Sequence, residues 1–227
     1  MSATPTGLSR RVTAEAVGTA FLVMAVVGSG IAAQRLSPDD VGLQLLENSL
    51  VTGAALVALI LALQPVSASF NPVVTALERL LGTITTREAV LSVVAQVVGG
   101  AAGCVLANLM FDLDAVSVSG HHRATSGTLL AEVVATAGLV VVVFGSVRAG
   151  RVETVAYAVG GYITAAYWFT SSTSFANPAV TLARTLSDTF AGIAPASAPA
   201  FAAVQVVGGA VGLGLVALLH PTEGATS

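Results

Sequence analysis

The second half of the sequence repeats three polar motifs of the first half, in the same order and at nearly constant spacing. The stretches "AEAVGTAFLVMAVVGS", "NPVVTALERL" and "QVVGGAAG" return as "AEVVATAGLVVVVFGS", "NPAVTLARTL" and "QVVGGAVG". The matched residues are Glu15 with Glu132, Asn71 with Asn177, and Gln96 with Gln205. Apolar segments often resemble one another by chance, but a shared order of polar residues within them is much harder to obtain. The chain is therefore predicted to consist of two similar halves.

Long apolar stretches place both halves in a membrane. The 227 residues are 55% hydrophobic and only 9% charged, whereas soluble domains are about 25% charged. A bilayer core needs about 20 apolar residues of helix. The stretches that qualify are 12–33, 44–64, 89–109, 128–147, 154–171 and 198–219. The first resembles a signal peptide, but its recurrence in the second half argues against that interpretation. The predicted fold is an all-α membrane protein with six transmembrane helices.

Three spans per half require the second half to start from the opposite side of the membrane, so the repeat is inverted. The predicted limits are 1–110 for the first repeat, 111–127 for an external connecting loop and 128–227 for the second repeat. With both termini cytoplasmic, internal segments carry Arg10, Arg11, Arg79, Arg87, Arg148 and Arg151, and external segments carry Arg35, Arg123 and Arg184. This distribution follows the positive-inside rule. We expect a multi-pass membrane protein with its N- and C-termini cytoplasmic.

Two segments, 65–82 and 172–188, are too polar and too short to span a bilayer. Each reaches an Asn-Pro pair and then runs for about ten residues with helical character. Asparagine is a favoured helix N-cap and proline is favoured at the first helical position. Asn71-Pro72 and Asn177-Pro178 are therefore predicted to begin two re-entrant half-helices. Ordinary caps in surface loops are the alternative, but they leave the recurrence within matched repeats unexplained.

The predicted half-helices imply an aqueous path. Non-helical backbone at membrane depth is tolerated only where protein buries it or water lines it. Inversion brings the two half-helices in from opposite sides, so their N-termini meet near the midplane. There, Asn71 and Asn177 would offer amide donors to a passing solute, while both positive dipole ends would oppose cations, including hydronium.

With these motifs the chain resembles the aquaporin family, also called the major intrinsic proteins. The resemblance rests on "NPVVT" and "NPAVT", on Glu15 and Glu132, and on the two matched glutamines. It covers nearly the whole chain and implies one pore per subunit, a homotetramer in the lipid bilayer, and small neutral solutes as cargo. The first motif departs from the family in having Val73 where alanine is usual. Its approach, "SASFNP", is one residue shorter than usual.

The resemblance also implies an external selectivity filter. The family usually has arginine directly after the second Asn-Pro-Ala, where this chain has Val180; Arg184, one turn further along, is not expected to replace it. The filter positions carried over from the family are Thr52 (with Val51 as the alternative), Ala165, Ser174 and Val180. These side chains are small and uncharged. They predict a filter that is wider and less polar than that of a water channel.

The stretch "YWFTSSTSFANPAVTLARTLSDTFAGI" further resembles a bacterial subgroup of aquaporins associated with arsenic resistance. Neutral or methylated arsenicals are therefore candidate cargo, beside water, glycerol and hydrogen peroxide. A coupled secondary transporter that uses Glu15 or Glu132 is the alternative function, because ionisable groups inside spans are often functional. We favour a structural role, in which each glutamate accepts hydrogen bonds from the backbone of its re-entrant loop. A packing protein with a closed pore is the third possibility.

Other classes of function lack support in the sequence. No nucleophile with a paired base is apparent, so an enzyme is not expected, and no cofactor motif or metal site is recognised. Cys104 is a single cysteine in an apolar run, and the adjacent His121 and His122 have poor geometry for one metal ion. The formal net charge of −3 gives no indication of a nucleic-acid partner.

Overall fold

The computed structural model describes residues 7–221 and folds them into eight α-helices without a strand. The helices are α1 (Leu8–Leu36), α2 (Val41–Leu63), α3 (Pro72–Leu80), α4 (Thr86–Met110), α5 (Ser126–Arg148), α6 (Val155–Phe169), α7 (Pro178–Ala183) and α8 (Ala198–Leu219). Short 3-10 turns precede α6 at Val152–Thr154 and follow α7 at Arg184–Leu186. The predicted all-α fold with two half-helices, α3 and α7, is confirmed.

Five helices, α1, α2, α4, α5 and α8, are long and apolar enough to cross a membrane. The predicted fifth span is α6, which has only 15 residues because a 3-10 turn replaces its first turn and its α-helix ends at Phe169. Helix α5 begins at Ser126, slightly earlier than predicted, because the Thr125 side chain accepts the Thr128 N–H and caps the helix there. The limits of the two repeats stay a prediction.

The two repeats use the same glycine-based contact between their first and third long helices. A Cβ added to Gly103 of α4 would lie 2.2 Å from the carbonyl oxygen of Ala20 in α1. A Cβ added to Gly212 of α8 would lie 2.6 Å from the carbonyl oxygen of Ala137 in α5. Glycine at these positions lets the helix backbones approach closely, as small residues do in membrane proteins. These two contacts fix the frame around the half-helices.

Large apolar side chains cover the outward faces of the long helices. Phe21, Val98, Leu130 and Val207, one from each of α1, α4, α5 and α8, are all exposed. A soluble monomer rarely presents so extensive an apolar surface. The outer surface is therefore suited to lipid, while the polar side chains discussed below lie inside the helix bundle.

Candidate functional site

Each half-helix begins at its Asn-Pro pair. Asn71 Oδ1 accepts the Val73 N–H at 2.9 Å, and Asn177 Oδ1 accepts the N–H groups of Ala179 and Val180 at 3.0 and 3.3 Å. A proline follows each asparagine in the first helical turn, where an N–H would have no helical partner. Both asparagines thus satisfy otherwise unpaired amides at a helix start.

The two asparagines also tie the half-helices to each other. Asn71 Nδ2 donates to the Ala176 carbonyl at 2.8 Å, and Asn177 Nδ2 donates to the Phe70 carbonyl at 2.7 Å. Phe70 and Ala176 are the residues that directly precede Asn71 and Asn177. The N-termini of α3 and α7 therefore meet inside the bundle, each held by the loop of the other repeat.

The residues before the two asparagines have a backbone conformation that L-residues rarely adopt. Phe70 and Ala176 both have φ of 48°, in the left-handed region. Their N–H groups donate to the buried carboxylates of Glu15 and Glu132, each at 2.8 Å. The left-handed turn thus directs the N–H toward a glutamate and the C=O toward the opposite asparagine, which explains why the strained conformation is held.

The two glutamates form matching networks. The Ser69 N–H also donates to Glu15, and the Phe175 N–H donates to Glu132, each at 2.9 Å. Gln96 Nε2 donates to Glu15 at 2.7 Å, and Gln205 Nε2 donates to Glu132 at 2.6 Å. Both glutamates are fully buried. Their contacts are those of groups that hold the re-entrant loops in place.

A cavity of about 310 Å³ passes both asparagines. We call its two ends the N-terminal side, where α1 and α4 begin, and the loop side, where α1 and α4 end beside the connecting segment. Polar and charged residues that line the N-terminal side are Arg11, Gln64, Ser67, Ser69 and Glu78; those that line the loop side are Thr52, Tyr167, Ser174 and Arg184. Most of the remaining lining is apolar, with Val74 and Val180 beside the asparagines.

Helix α6 faces the cavity with a different residue from the one that the sequence predicts. Its lining residues recur at every fourth position and are Val155, Val159, Ile163 and Tyr167. Ala165 does not line the cavity and lies on an exposed face of α6. The prediction of Ala165 is wrong because it counts back from Asn177 through a loop. The helix itself places residue 167, two positions later, in line with Ile163.

The other three predicted filter residues border the cavity. Thr52 is 2% exposed and its hydroxyl lies 3.1 Å from the Tyr167 hydroxyl, whereas the alternative, Val51, is 44% exposed. Ser174 has a φ of 50°, and its buried hydroxyl has no hydrogen-bond partner among residues 7–221. Val180 is buried beside Asn177. These three residues therefore give the loop side two hydroxyl groups and one apolar side chain.

Arg184 also lines the cavity, although the sequence did not predict it there. Its guanidinium lies 3.4 Å from the centre of the Phe175 ring, and its Nε donates to the Ala191 carbonyl. The side chain is only 2% exposed, and no carboxylate among the described residues pairs with it. Val180 and Arg184 lie four residues apart, about one helical turn. That spacing is the signal that could have placed both on one face.

A second arginine stands beside the same aromatic ring. Arg123, in the connecting segment, lies 5.6 Å from the centre of the Phe175 ring. It donates to the carbonyls of Gly192 and Phe190 at 2.7 and 2.9 Å. Burial lowers the pKa of Arg123 from its ordinary value, but the ordinary pKa of arginine is so high that the side chain stays charged at neutral pH. The loop side of the cavity is therefore electropositive.

Apolar long helices surround two capped half-helices whose N-termini meet in a cavity with polar ends. This arrangement defines a pore-forming membrane protein. The chain belongs to the major intrinsic protein family, whose family model matches residues 2–154. The resemblance to this family, inferred from the sequence, is confirmed. Members of this family are passive channels and not enzymes, as expected from the absence of a nucleophile with a paired base.

The relatives agree with this assignment. The chain is 49% identical to "Aquaglyceroporin AqpS" of Rhizobium meliloti (strain 1021) over 218 residues, which cover 95% of this chain and 93% of the relative. Its fold is similar to that of the aquaglyceroporin from Plasmodium falciparum, with a TM-score of 0.70 and 19% identity. That match covers 94% of this chain and 95% of the other. At 19% identity, this second likeness bears on the fold alone.

Proposed function

We propose that the protein is a passive channel for small uncharged solutes, of glycerol size as well as water, with neutral or methylated arsenicals among its candidate cargo. One observation carries the proposal: the reciprocal hydrogen bonds of Asn71 and Asn177 hold two half-helix N-termini against one cavity. Each amide donates one N–H across the interface and retains a second N–H for a passing solute.

The lining of the cavity, whose volume is about 310 Å³, supports solutes larger than water. Most of the lining is apolar, which suits a solute that combines carbon or arsenic methyl groups with a few hydroxyls. The name of the 49% identical relative, an aquaglyceroporin, favours the same class of cargo.

We assign the filter to Thr52, Ser174 and Val180, with Tyr167 in place of Ala165. Asn71-Pro72 and Asn177-Pro178 form the pore midplane, and Glu15 and Glu132 support the two loops. At position 180 valine replaces the arginine usual in the family, which leaves room beside Asn177. This filter is small in three of its four side chains, and its hydroxyls supply hydrogen bonds to a polyol or an oxyacid.

The arrangement in the cell follows from the same argument. The arginine distribution favours cytoplasmic termini, and the resemblance to a bacterial subgroup favours the inner membrane of a bacterium. With this orientation the N-terminal side of the cavity is cytoplasmic and the loop side is external. The family resemblance favours a homotetramer with one pore in each subunit.

A coupled transporter that uses Glu15 or Glu132 receives less support. Both carboxylates are fully buried, neither lines the cavity, and both oxygens of each accept hydrogen bonds. A proton relay would need at least one of them to reach the solute path. The observed contacts hold backbone amides instead.

Flux into proteoliposomes tests the proposal. Water, glycerol, arsenite and methylated arsenicals are supplied in turn, with no ion gradient, and volume change or arsenic uptake is measured against protein-free vesicles. We expect flux that rises linearly with concentration for water and for at least one larger solute. Flux that saturates at low concentration and stops without an ion gradient would contradict a channel, and no flux of any solute would indicate a closed pore.

A further inference from the structure

The two half-helices carry opposite charges at equivalent positions. Glu78 follows Asn71 at the same distance along the chain as Arg184 follows Asn177. Both side chains line the cavity, Glu78 on the N-terminal side and Arg184 on the loop side. We propose that these two residues are fixed charges of opposite sign that exclude anions and cations respectively, which restricts the channel to solutes without net charge. The inference deepens the proposed function and rests on it.

Glu78 places a negative charge on the N-terminal side of the cavity. Ser69 Oγ donates to its Oε2 at 2.7 Å, while the half-buried side chain stays in contact with the cavity. Arg11 lines the same end, but its Nη1 lies 3.2 Å from Glu88 Oε1, and this carboxylate offsets its charge. Arg79, the next residue of α3, is exposed to solvent, where salt screens it.

Arg184 places a positive charge on the loop side of the cavity. No carboxylate among residues 7–221 lies within ion-pairing distance of it, and Arg123 beside the same Phe175 ring adds charge of the same sign. Glu132 is the buried acidic group behind the adjacent loop, and both of its oxygens are occupied by backbone amides and Gln205. On the loop side, the positive charge of Arg184 is therefore the one that lines the cavity.

The negative charge of Glu78 offsets the positive charge that the rest of the pore presents to solutes. The N-termini of α3 and α7 and the Arg184 guanidinium all repel cations, and by the same physics they attract anions. A pore with these features alone would bind small anions. Among the described residues that line the cavity, Glu78 is the only carboxylate. Its negative charge opposes anions that enter from the N-terminal side of the cavity.

The variant Glu78→Gln tests this role. Glutamine has nearly the same shape and keeps an acceptor for Ser69, so the fold and the cavity are preserved. In proteoliposomes, uptake of nitrate and of glycerol is measured on the same preparation. We expect nitrate permeability to rise by about tenfold, which corresponds to about 1.4 kcal/mol of barrier, while glycerol permeability changes by less than about twofold. The matched control is Glu153→Gln, which removes an exposed carboxylate outside the cavity lining and should change neither flux.

Arg184 is tested by a pair of variants. Arg184→Gln removes the charge and should raise potassium permeability, whereas Arg184→Lys keeps the charge and should exclude potassium as the unmodified protein does. If Arg184 had only a structural role, both variants would lose the exclusion of potassium. Unchanged nitrate permeability in folded Glu78→Gln that conducts glycerol would overturn the inference. Absence of flux of every neutral solute in the unmodified protein would instead overturn the proposed function.

Discussion

Asn71 and Asn177 each donate a side-chain N–H to the carbonyl that precedes the other, at 2.8 and 2.7 Å. The same residues cap their own half-helices through Oδ1. One amide side chain thus positions a helix start within its repeat and fixes it against the other repeat. Any change at either asparagine therefore acts on both halves of the pore.

Asn177→Asp should increase cation leak. The carboxylate cannot donate to the Phe70 carbonyl, and its negative charge cancels part of the positive field at the two helix N-termini. The measurement is potassium and proton conductance across proteoliposome membranes. Asn177→Ser serves as the control, because it removes the donated N–H without adding charge. Equal leak in both variants would show that the hydrogen bond, not the field, excludes cations.

Val180→Arg should reduce permeation of glycerol-sized solutes more than that of water. Arginine adds length and a second guanidinium at a position buried beside Asn177 and close to the hydroxyl groups of Thr52 and Ser174. We expect glycerol flux to fall by at least about tenfold, a barrier increase of about 1.4 kcal/mol, with a smaller effect on water. Stopped-flow measurements of both solutes test this. Equal losses for the two would contradict a filter wider than that of a water channel.

Residue 167, and not residue 165, should limit the size of the solutes that pass the loop side of the cavity. Tyr167→Ala removes a side chain that lines the cavity and bonds Thr52, so permeability to the largest accepted solute should rise. Ala165→Leu adds bulk to an exposed face of α6 and should leave solute flux unchanged. Both are measured with the same solute panel. Flux that changes in Ala165→Leu but not in Tyr167→Ala would show that Ala165 belongs to the filter and would contradict the orientation of α6.

Gly103→Ala should destabilise the protein. The added Cβ would lie 2.2 Å from the Ala20 carbonyl oxygen, so α1 and α4 must separate. Overpacking of this kind costs about 1–3 kcal/mol, and we expect a lower thermal midpoint in detergent by light scattering or tryptophan fluorescence. Gly161→Ala is the matched control, since nothing lies within 4 Å of its added Cβ. A midpoint for Gly103→Ala equal to that of the control would contradict the close approach of α1 and α4.

Local sequence patterns predict the spans, the two helix starts and the internal repeat. Apolar runs of helical length define the spans, since the bilayer imposes a minimum length. An asparagine followed by proline defines a helix start because cap and first turn lie side by side in the chain. The recurrence of Glu15, Asn71 and Gln96 in the second half, with three spans per half, then requires an inverted pair of repeats.

The tertiary structure decided which side chains reach the cavity. Ala165 and Tyr167 are two residues apart, and only the rotation of α6 about its axis, fixed by packing against its neighbours, selects the second. No local pattern places Arg184 or Glu78 at the pore, and only the packing of the half-helices inside the bundle brings both to the cavity lining. Asn71 and Ala176 are distant in the chain, and their contact exists only once the two repeats close on each other. Helix rotation and long-range closure depend on the whole bundle, so no local pattern encodes them.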